Sequence, residues 1–180
     1  IDDIEFSDKD GIVYNDKAYE LWFKLIPWED IALEESDLAM LLTNIIKNQK
    51  AIIFNPAYTL LFQSKGLLKI LWDLYPNHPL LLETSFEPLE EQKQVEKPIF
   101  GREGGSVSII DENNHKVDGV EGDYDSHKMV YQAYTELPTD SEGQSYQAGV
   151  FYAYEACGLG FRKGGKILDN MSKFVGHVVK

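Results

Sequence analysis

The stretch KPIFGREGGSVSII, at residues 97–110, brings two cationic side chains together with three glycines. Glycine lets backbone N–H groups approach an anion because no Cβ stands in the way, and Lys97 and Arg102 add fixed positive charge. A loop that holds phosphate needs these features. The SVSII that follows alternates as a β-strand does, so a plain glycine hairpin between two strands fits equally well. The local pattern does not choose between the two.

Other candidate ligand loops match their patterns only in part. Residues 160–166 have P-loop spacing, but Ile167 stands where Ser or Thr would bind magnesium and no helix pattern follows, which favours a hairpin turn. Residues 111–125 are rich in oxygen ligands, yet Lys116 occupies the glycine position of a calcium loop, so we expect a solvated loop. Cys157 ends an apolar strand pattern with no histidine nearby, which predicts a small buried residue rather than a nucleophile.

Composition limits the class of protein. With 180 residues, of which 43% are hydrophobic, the chain can bury one sizeable core or at most two small lobes. A net charge of −13 argues against a nucleic-acid partner, although a small anionic ligand needs only a few local cations. One cysteine, no long apolar run and no basic leader predict no disulfide, no membrane partner and a cytoplasmic location. Because the chain begins at Ile1, we expect a fragment of a larger catalytic domain.

The first half of the chain is predicted to be largely helical. Residues 12–28 alternate loosely and predict a strand pair with a turn at Asn15 and Asp16. Over residues 29–48 the apolar residues recur with the period of an amphipathic helix. The apolar run at 51–54 predicts a buried strand. Asn55-Pro56 and Ser64 each predict the start of a helix. Pro76 predicts the end of the second one.

The second half is predicted to be rich in strands. Residues 87–98 are charged and flanked by proline, which predicts a solvated loop. From residue 105 onward, short alternating segments are joined by glycine, aspartate and asparagine turns. A helical half followed by a mainly antiparallel sheet half predicts an α+β fold.

Five segments, in this order, resemble the glutathionylspermidine synthetase family, and in particular its stand-alone ATP-grasp members, the acid–amine ligases. They are FKLIPWE (23–29), IIFNPAYTLLFQSKGLLKILWDLYP (52–76), KPIFGREGGSV (97–107), VYQAYTELP (130–138) and CGLGFRKGGKI (157–167). The resemblance covers nearly all of the chain and corresponds to the C-terminal part of the family's catalytic unit. It implies an ATP-grasp-like fold.

The resemblance also implies a reaction. The family joins a carboxylate to an amine with ATP and Mg²⁺, through an acyl phosphate that the amine converts to an amide. The expected partners are a glutathione- or peptide-like acid and an amine, with a polyamine as one candidate. By this resemblance the chain supplies the nucleotide-binding part of such a ligase and is inactive alone. A non-catalytic nucleotide- or protein-binding module derived from an ATP-grasp lobe stays open as the alternative.

The resemblance implies roles for individual residues. Lys65 and Lys97 would hold the ATP phosphates, and Arg102 and Arg162 would stabilise the acyl phosphate as catalytic residues. The flap over the phosphates would be Glu103, Gly104, Gly105 and Ser106; the segment against adenine would be Gln132, Ala133, Tyr134 and Thr135; and Ile167, Leu168 and Asp169 would lie near the nucleotide. Lys24 and Glu29 match the side of the acid substrate. No metal ligand is assigned.

These roles divide the chain at residue 96. Residues 1–96 would form a mixed α/β lobe that carries the acid-substrate segment and the first ATP lysine. Residues 97–180 would form a sheet-rich ATP-grasp lobe with the glycine flap.

Overall fold

A computed structural model describes residues 3–178 of the chain. The chain forms two compact units, Ile1–Gln63 and Ser64–Lys180. Within the described residues, all α-helices lie before Tyr75 and all strand pairs but one are antiparallel. The α+β prediction is therefore confirmed, and this arrangement is compatible with an ATP-grasp-like fold. No helix of residues 3–178 is both long enough and apolar enough to cross a membrane.

In the unit Ile1–Gln63, the described residues 3–63 form two small sheets and three helices. An antiparallel sheet is formed by β1 (Ile4–Ser7), β2 (Gly11–Tyr14) and β3 (Lys17–Tyr19). A parallel pair is formed by β4 (Leu21–Phe23) and β5 (Ile52–Phe54). The helices are α1 (Trp28–Glu34), α2 (Ser36–Lys47) and α3 (Thr59–Gln63).

The turn predicted at Asn15 and Asp16 is confirmed. It joins β2 to β3, and both residues have positive φ, at 51° and 58°, as a two-residue hairpin turn of the primed type requires. The helical period over residues 29–48 belongs to two helices rather than one, because Glu35 has a non-helical backbone. The predicted buried strand is only half-buried: Ile53 faces the core, while both of its neighbours in β5 are exposed.

The core of this unit follows the helical period. Leu42 and Ile45, three residues apart on α2, are fully buried. They belong to one apolar cluster with Ile12 from β2 and Ile31 from α1. Asn55 is not a helix cap here. It has a left-handed φ of 63°, its side-chain amide donates to the Lys24 carbonyl oxygen, and α3 begins only at Thr59.

The unit Ser64–Lys180 is built on two antiparallel sheets. It opens with α4 (Gly66–Leu74), whose N-cap residue is Lys65, one residue after the cap predicted at Ser64. The Ser64 hydroxyl accepts from the Gly66 N–H at 3.2 Å. The larger sheet has the order β6-β10-β7-β8-β9, formed by β6 (Thr84–Ser85), β7 (Gln94–Pro98), β8 (Ser108–Ile110), β9 (Lys116–Gly119) and β10 (Met129–Ala133). The smaller sheet has the order of the chain, formed by β11 (Ser145–Ala153), β12 (Glu155–Gly164) and β13 (Lys173–Val175).

The prediction of a solvated loop over residues 87–98 is wrong at its C-terminal end. Residues 94–98 form β7, the central strand of the larger sheet, which pairs with β10 on one side and β8 on the other. The strand can bury the polar Gln94 because the Gln94 amide is fully used. Its Oε1 accepts from the Leu89 N–H at 2.7 Å, and its Nε2 donates to the Leu89 carbonyl oxygen at 3.0 Å.

The division of roles at residue 96 stays a prediction. Residues 96 and 97 are neighbours within β7, and the contacts of the chain divide instead between Gln63 and Ser64.

Two predictions for the β11–β12 hairpin are wrong. Cys157 is exposed, not buried, because both strands stand largely in solvent around the fully exposed Tyr154 at their turn. The turn predicted from the glycines of residues 158–166 is wrong for Gly158 and Gly160, which lie inside β12. Gly164 and Gly165 stand where β12 ends and the connection to its antiparallel partner β13 begins. The solvated loop predicted for residues 111–125 also contains a strand, β9.

We predict that Gln94→Met lowers the free energy of unfolding by about 2–4 kcal/mol, because a buried N–H and a buried C=O each lose their partner at roughly 1–3 kcal/mol. Urea denaturation measures this change. The matched control is Gln63→Met at an exposed position, which should change the stability by less than about 0.5 kcal/mol. Equal effects of the two substitutions would contradict the role of Gln94.

Candidate functional site

A cavity of about 410 Å³ opens in the unit Ser64–Lys180, within the size range of small-molecule sites. Most of the residues predicted for the site line it. They are Lys65, Lys97, Arg102, Glu103, Gly104, Gly105, Gln132, Ala133, Tyr134, Thr135, Arg162, Ile167 and Leu168. The structure thus brings together residues that are separated by up to about a hundred positions in the sequence.

The remaining predicted residues lie elsewhere. Ser106 is buried, and its hydroxyl accepts from the Tyr124 N–H at 3.1 Å. The Asp169 carboxylate accepts from the Met171 N–H at 2.9 Å and so stabilises a local turn. Lys24 and Glu29 belong to the unit Ile1–Gln63, where both are buried. The Lys24 ammonium donates to the Ile26 carbonyl oxygen and lies 4.3 Å from the centre of the Trp28 ring system.

Sequence reasoning missed much of the cavity wall. The missed residues are Leu82, Val95, Gly101, Val107, Ile109, Leu137, Gln147 and Lys166. Val95 is directly opposite Gln132 on β10 and Ile109 on β8, so these three side chains lie on one face of the sheet. Val95 and Lys97 are two residues apart in β7 and therefore lie on the same face of the sheet. If residues 94–98 are recognised as a strand, this alternation indicates both residues as part of the cavity wall.

The charge of the cavity is opposite to that of the protein. Among residues 3–178, five basic residues line it, Lys65, Lys97, Arg102, Arg162 and Lys166, against one acidic residue, Glu103. The whole chain carries a formal charge of −13. Such a local excess of cations focuses a positive potential on one place and attracts anions there.

Lys97 and Lys65 occupy this cavity from different elements. Lys97 extends from β7, and its ammonium donates to Gln132 Oε1 at 2.7 Å. Burial lowers the pKa of Lys97, and the neighbouring charge of Lys65 lowers it further. The Lys65 ammonium donates to the Gly101 carbonyl oxygen at 2.8 Å, and its backbone N–H donates to Ile99 at 2.9 Å. The start of α4 is therefore attached to the glycine-rich loop.

That loop, residues 99–107, which we call the glycine loop, joins β7 to β8 as the strand–loop–strand pattern predicts. Its backbone is tightly turned: φ is positive at Glu103, Gly104 and Ser106, at 55°, 73° and 56°. A Cβ on Gly104 would stand 2.7 Å from the Leu168 carbonyl oxygen, so only glycine permits this approach. Gly122 contacts the loop as closely, since its Cβ would stand 2.7 Å from the Ser106 nitrogen.

Adjacent basic residues on β12 take different partners. Arg162 lines the cavity and donates to Gln147 Oε1 at 2.5 Å, its cross-strand partner on β11. Lys163 instead forms an ion pair with Asp140 at 2.9 Å. The hydrogen bond from Lys163 is the largest cause of the lowered pKa of Asp140. The same bond raises the pKa of Lys163. Strand alternation therefore directs Arg162, and not Lys163, to the cavity.

The residue types that bind metals form no large cluster in the described part of the chain. Among residues 3–178, no group of three or more His, Cys, Asp or Glu side chains could hold a metal ion. Glu103 is the one carboxylate among the described residues that line the cavity.

Comparison with known proteins identifies the family. Residues 1–180 match the family model described as "Glutathionylspermidine synthase preATP-grasp", so the chain belongs to this family of ligases. The resemblance seen in the five sequence segments is confirmed.

Three similar proteins show the extent of the match. The chain is 33% identical to a Haemophilus influenzae protein named "Putative acid–amine ligase", over 98% of this chain and 47% of that protein. It is 30% identical to the bifunctional glutathionylspermidine synthetase/amidase of Escherichia coli, over 54% of this chain and 16% of that protein. It is 26% identical to the trypanothione synthetase of Crithidia fasciculata, over 69% of this chain and 20% of that protein. The chain thus spans less than half the length of these curated relatives.

We predict that Gly122→Ala displaces the glycine loop, because the new Cβ would meet backbone atoms of Gly105 and Ser106 at 2.8 and 2.7 Å. Overpacking of this kind lowers the free energy of unfolding by about 1–3 kcal/mol. Thermal unfolding measures the loss, and amide chemical shifts of residues 104–107 report the displacement. Gly176→Ala is the control, since a Cβ there meets nothing within 4 Å. Unchanged loop shifts in Gly122→Ala would contradict the close contact.

Proposed function

We propose that this chain supplies the nucleotide-binding part of an ATP-dependent carboxylate–amine ligase. The observation that carries the proposal is the cavity with five basic residues and one acidic residue in a chain of charge −13. A triphosphate is an anion that could occupy such a cavity and use its cations. Membership of a family of ligases agrees with this reading.

The cavity lining offers groups for both the base and the phosphates of ATP. The apolar side chains of Val95, Ile109 and Leu137 offer a surface for a flat base, and the cations offer contacts for the phosphates. The N–H groups of Ala133 and Tyr134 already donate to the carbonyl oxygens of Glu83 and Lys93. Hydrogen bonds to an adenine edge would therefore use the other backbone groups of residues 132–135.

The cationic side chains would act on the phosphates. Lys65 and Lys97 would bind phosphate oxygens, while the turned backbone of the glycine loop would cover them with N–H groups. Arg102 and Arg162 would stabilise the charge that spreads over the transferred phosphoryl group, because a guanidinium stays charged and binds two oxygens at once. Electrostatic positioning of this kind is the main catalytic contribution that a protein makes to phosphoryl transfer.

The proposed reaction has two balanced steps. In the first, an oxygen of the acid's carboxylate forms a bond to the terminal phosphorus of ATP, the bond to the bridging oxygen breaks, and ADP leaves with the electron pair. In the second, the amine nitrogen forms a bond to the acyl carbon, inorganic phosphate leaves, and the nitrogen gives up a proton. The products are an amide, ADP and phosphate.

Mg²⁺ is the ion that we propose to accompany ATP, since phosphates usually bring Mg²⁺ to such sites. Among the described residues that line the cavity, Glu103 carries the carboxylate that would help to hold this ion.

The substrates follow from the relatives' names and are proposed at the level of class. The bifunctional synthetase is named for glutathionylspermidine and a third relative for trypanothione. We therefore propose a glutathione- or peptide-like acid and an amine such as a polyamine, and with these substrates a cytoplasmic location.

We predict that Lys97→Met in the full-length protein weakens ATP binding by about tenfold to a hundredfold, the effect of losing one hydrogen bond to a charged group. Isothermal titration calorimetry measures the affinity, and ADP release with panels of acids and amines measures turnover. Lys173→Met, at an exposed position of the same unit, is the control and should bind ATP as the unsubstituted protein does.

Unchanged ATP affinity in Lys97→Met would contradict the proposal that this cavity binds the nucleotide. ATP binding without ADP release from any acid–amine pair would instead favour a nucleotide-binding module that performs no ligation.

We also predict that ATP affinity falls as the pH rises through the lowered pKa of Lys97. In the nucleotide-free protein this pKa lies below its ordinary value of 10.5. The loss of ATP affinity should therefore begin below pH 10.5. Phosphate favours the protonated ammonium, so binding at higher pH must also take up a proton. Calorimetry in buffers of different ionisation enthalpy, between about pH 7 and pH 10, measures this uptake. The Lys97→Met variant should lack it; an equal uptake in that variant would contradict the assignment to Lys97.

A further inference from the structure

The side-chain amide of Gln132 is held at both ends. Its Nε2 donates to the Thr84 hydroxyl oxygen at 3.0 Å, and its Oε1 accepts from the Lys97 ammonium at 2.7 Å. Gln132 is only 9% exposed and Thr84 only 2%. An amide at this place has a second orientation of the same shape, in which the nitrogen and the oxygen are exchanged.

Thr84 and Lys97 favour the same one of the two orientations, because the Lys97 ammonium can only donate. Its hydroxyl lies 3.0 Å from the Leu82 carbonyl oxygen, which can only accept a hydrogen bond. The single hydroxyl proton is therefore donated to Leu82, and toward Gln132 the hydroxyl can only accept. Gln132 must present its NH₂ group to Thr84, and its oxygen is left facing Lys97.

The sheet register places the three side chains in a row. Thr84 is the cross-strand partner of Gln132 between β6 and β10, and Lys97 is the partner of Val130 between β7 and β10. Val130 and Gln132 are two residues apart, so both lie on the same face of the sheet as their partners. Lys97 and Gln132 line the cavity, whereas Thr84 is not one of the lining residues.

We propose that Thr84 is a positioning residue for the phosphate-binding lysine. It fixes the direction of a hydrogen-bond chain from Lys97 to Gln132, from Gln132 to Thr84 and from Thr84 to the Leu82 carbonyl. The part of this inference that concerns phosphate rests on the proposed function.

The hydroxyl is needed because the Gln132 NH₂ group would otherwise be buried without this acceptor. A buried polar group without a partner is unfavourable, and turning the amide toward the cavity would give the NH₂ group access to water. The Lys97 ammonium would then lose Gln132 Oε1 as its acceptor. Hydrogen bonding to the charged form of a group favours that form, so the loss acts on the protonation of Lys97.

The test compares Thr84→Val, which removes the hydroxyl with little change of shape, with Thr84→Ser, which keeps it. NMR titration of the Lys97 side chain in the full-length, nucleotide-free protein should give a pKa lower by about one unit in Thr84→Val and an unchanged pKa in Thr84→Ser. At a pH above the Lys97 pKa of the unsubstituted protein, ATP affinity should fall about tenfold in Thr84→Val only, because one pKa unit lowers the protonated fraction about tenfold there. In a Gln132→Met background, Thr84→Val should have no further effect on the pKa of Lys97.

The two measurements separate this inference from the proposed function. An unchanged pKa of Lys97 in Thr84→Val would overturn the positioning role, and so would equal effects of Thr84→Val with and without Gln132. A lowered pKa with unchanged ATP affinity would support the positioning role and overturn phosphate binding by Lys97. Should Thr84→Val fail to fold, nuclear Overhauser effects in the unsubstituted protein decide. The Gln132 NH₂ protons should show them to Thr84; effects to the Lys97 side chain instead would overturn the inference.

Discussion

The mutual repulsion of two partly enclosed ammonium groups is the constraint around which the candidate site is organised. Burial lowers the pKa of Lys97, and the charge of the neighbouring Lys65 lowers it further. Each ammonium is stabilised by a neutral acceptor, Gln132 Oε1 for Lys97 and the Gly101 carbonyl for Lys65. The neutral Gln132 acceptor orients the Lys97 ammonium without cancelling its charge. An anion that enters the cavity therefore relieves a repulsion that the fold maintains.

The secondary structure is arranged so that these acceptors are available. β7 brings Lys97 to the cavity from the centre of the sheet, and β10 beside it brings Gln132. The glycine loop begins where β7 ends and turns its Gly101 carbonyl to the start of α4, where Lys65 lies. One central strand and its following loop thus connect both cations. Gln94, at the other end of β7, stabilises the chain segment that leads into the strand through its two bonds to Leu89.

Local sequence signals predicted the parts of the site that have a local cause. The glycine loop was visible because its positive φ values and its contact with Leu168 require glycine, and the start of α4 was visible in Ser64. Lys65 and Lys97 were assigned through resemblance, since a lone lysine carries no pattern. β7 was missed because its buried positions are occupied by Gln94 and Pro98, and glutamine and proline are more typical of a loop than of a buried strand. Cys157 was misassigned because the apolar alternation of β11 and β12 is typical of buried strands, whereas this hairpin is largely exposed.

The contact of Thr84 with Gln132 illustrates what a single sequence lacks. The two residues are 48 positions apart, and only the register of β6 on β10 makes them neighbours. The choice of side chains nevertheless has a clear physical logic. A glutamate at position 132 would also accept from Lys97, but its charge would neutralise the ammonium and repel phosphate. An amide keeps the positive charge available, but its NH₂ group on the side away from Lys97 then needs a buried acceptor. Thr84 meets that need, since its own proton is already committed to Leu82.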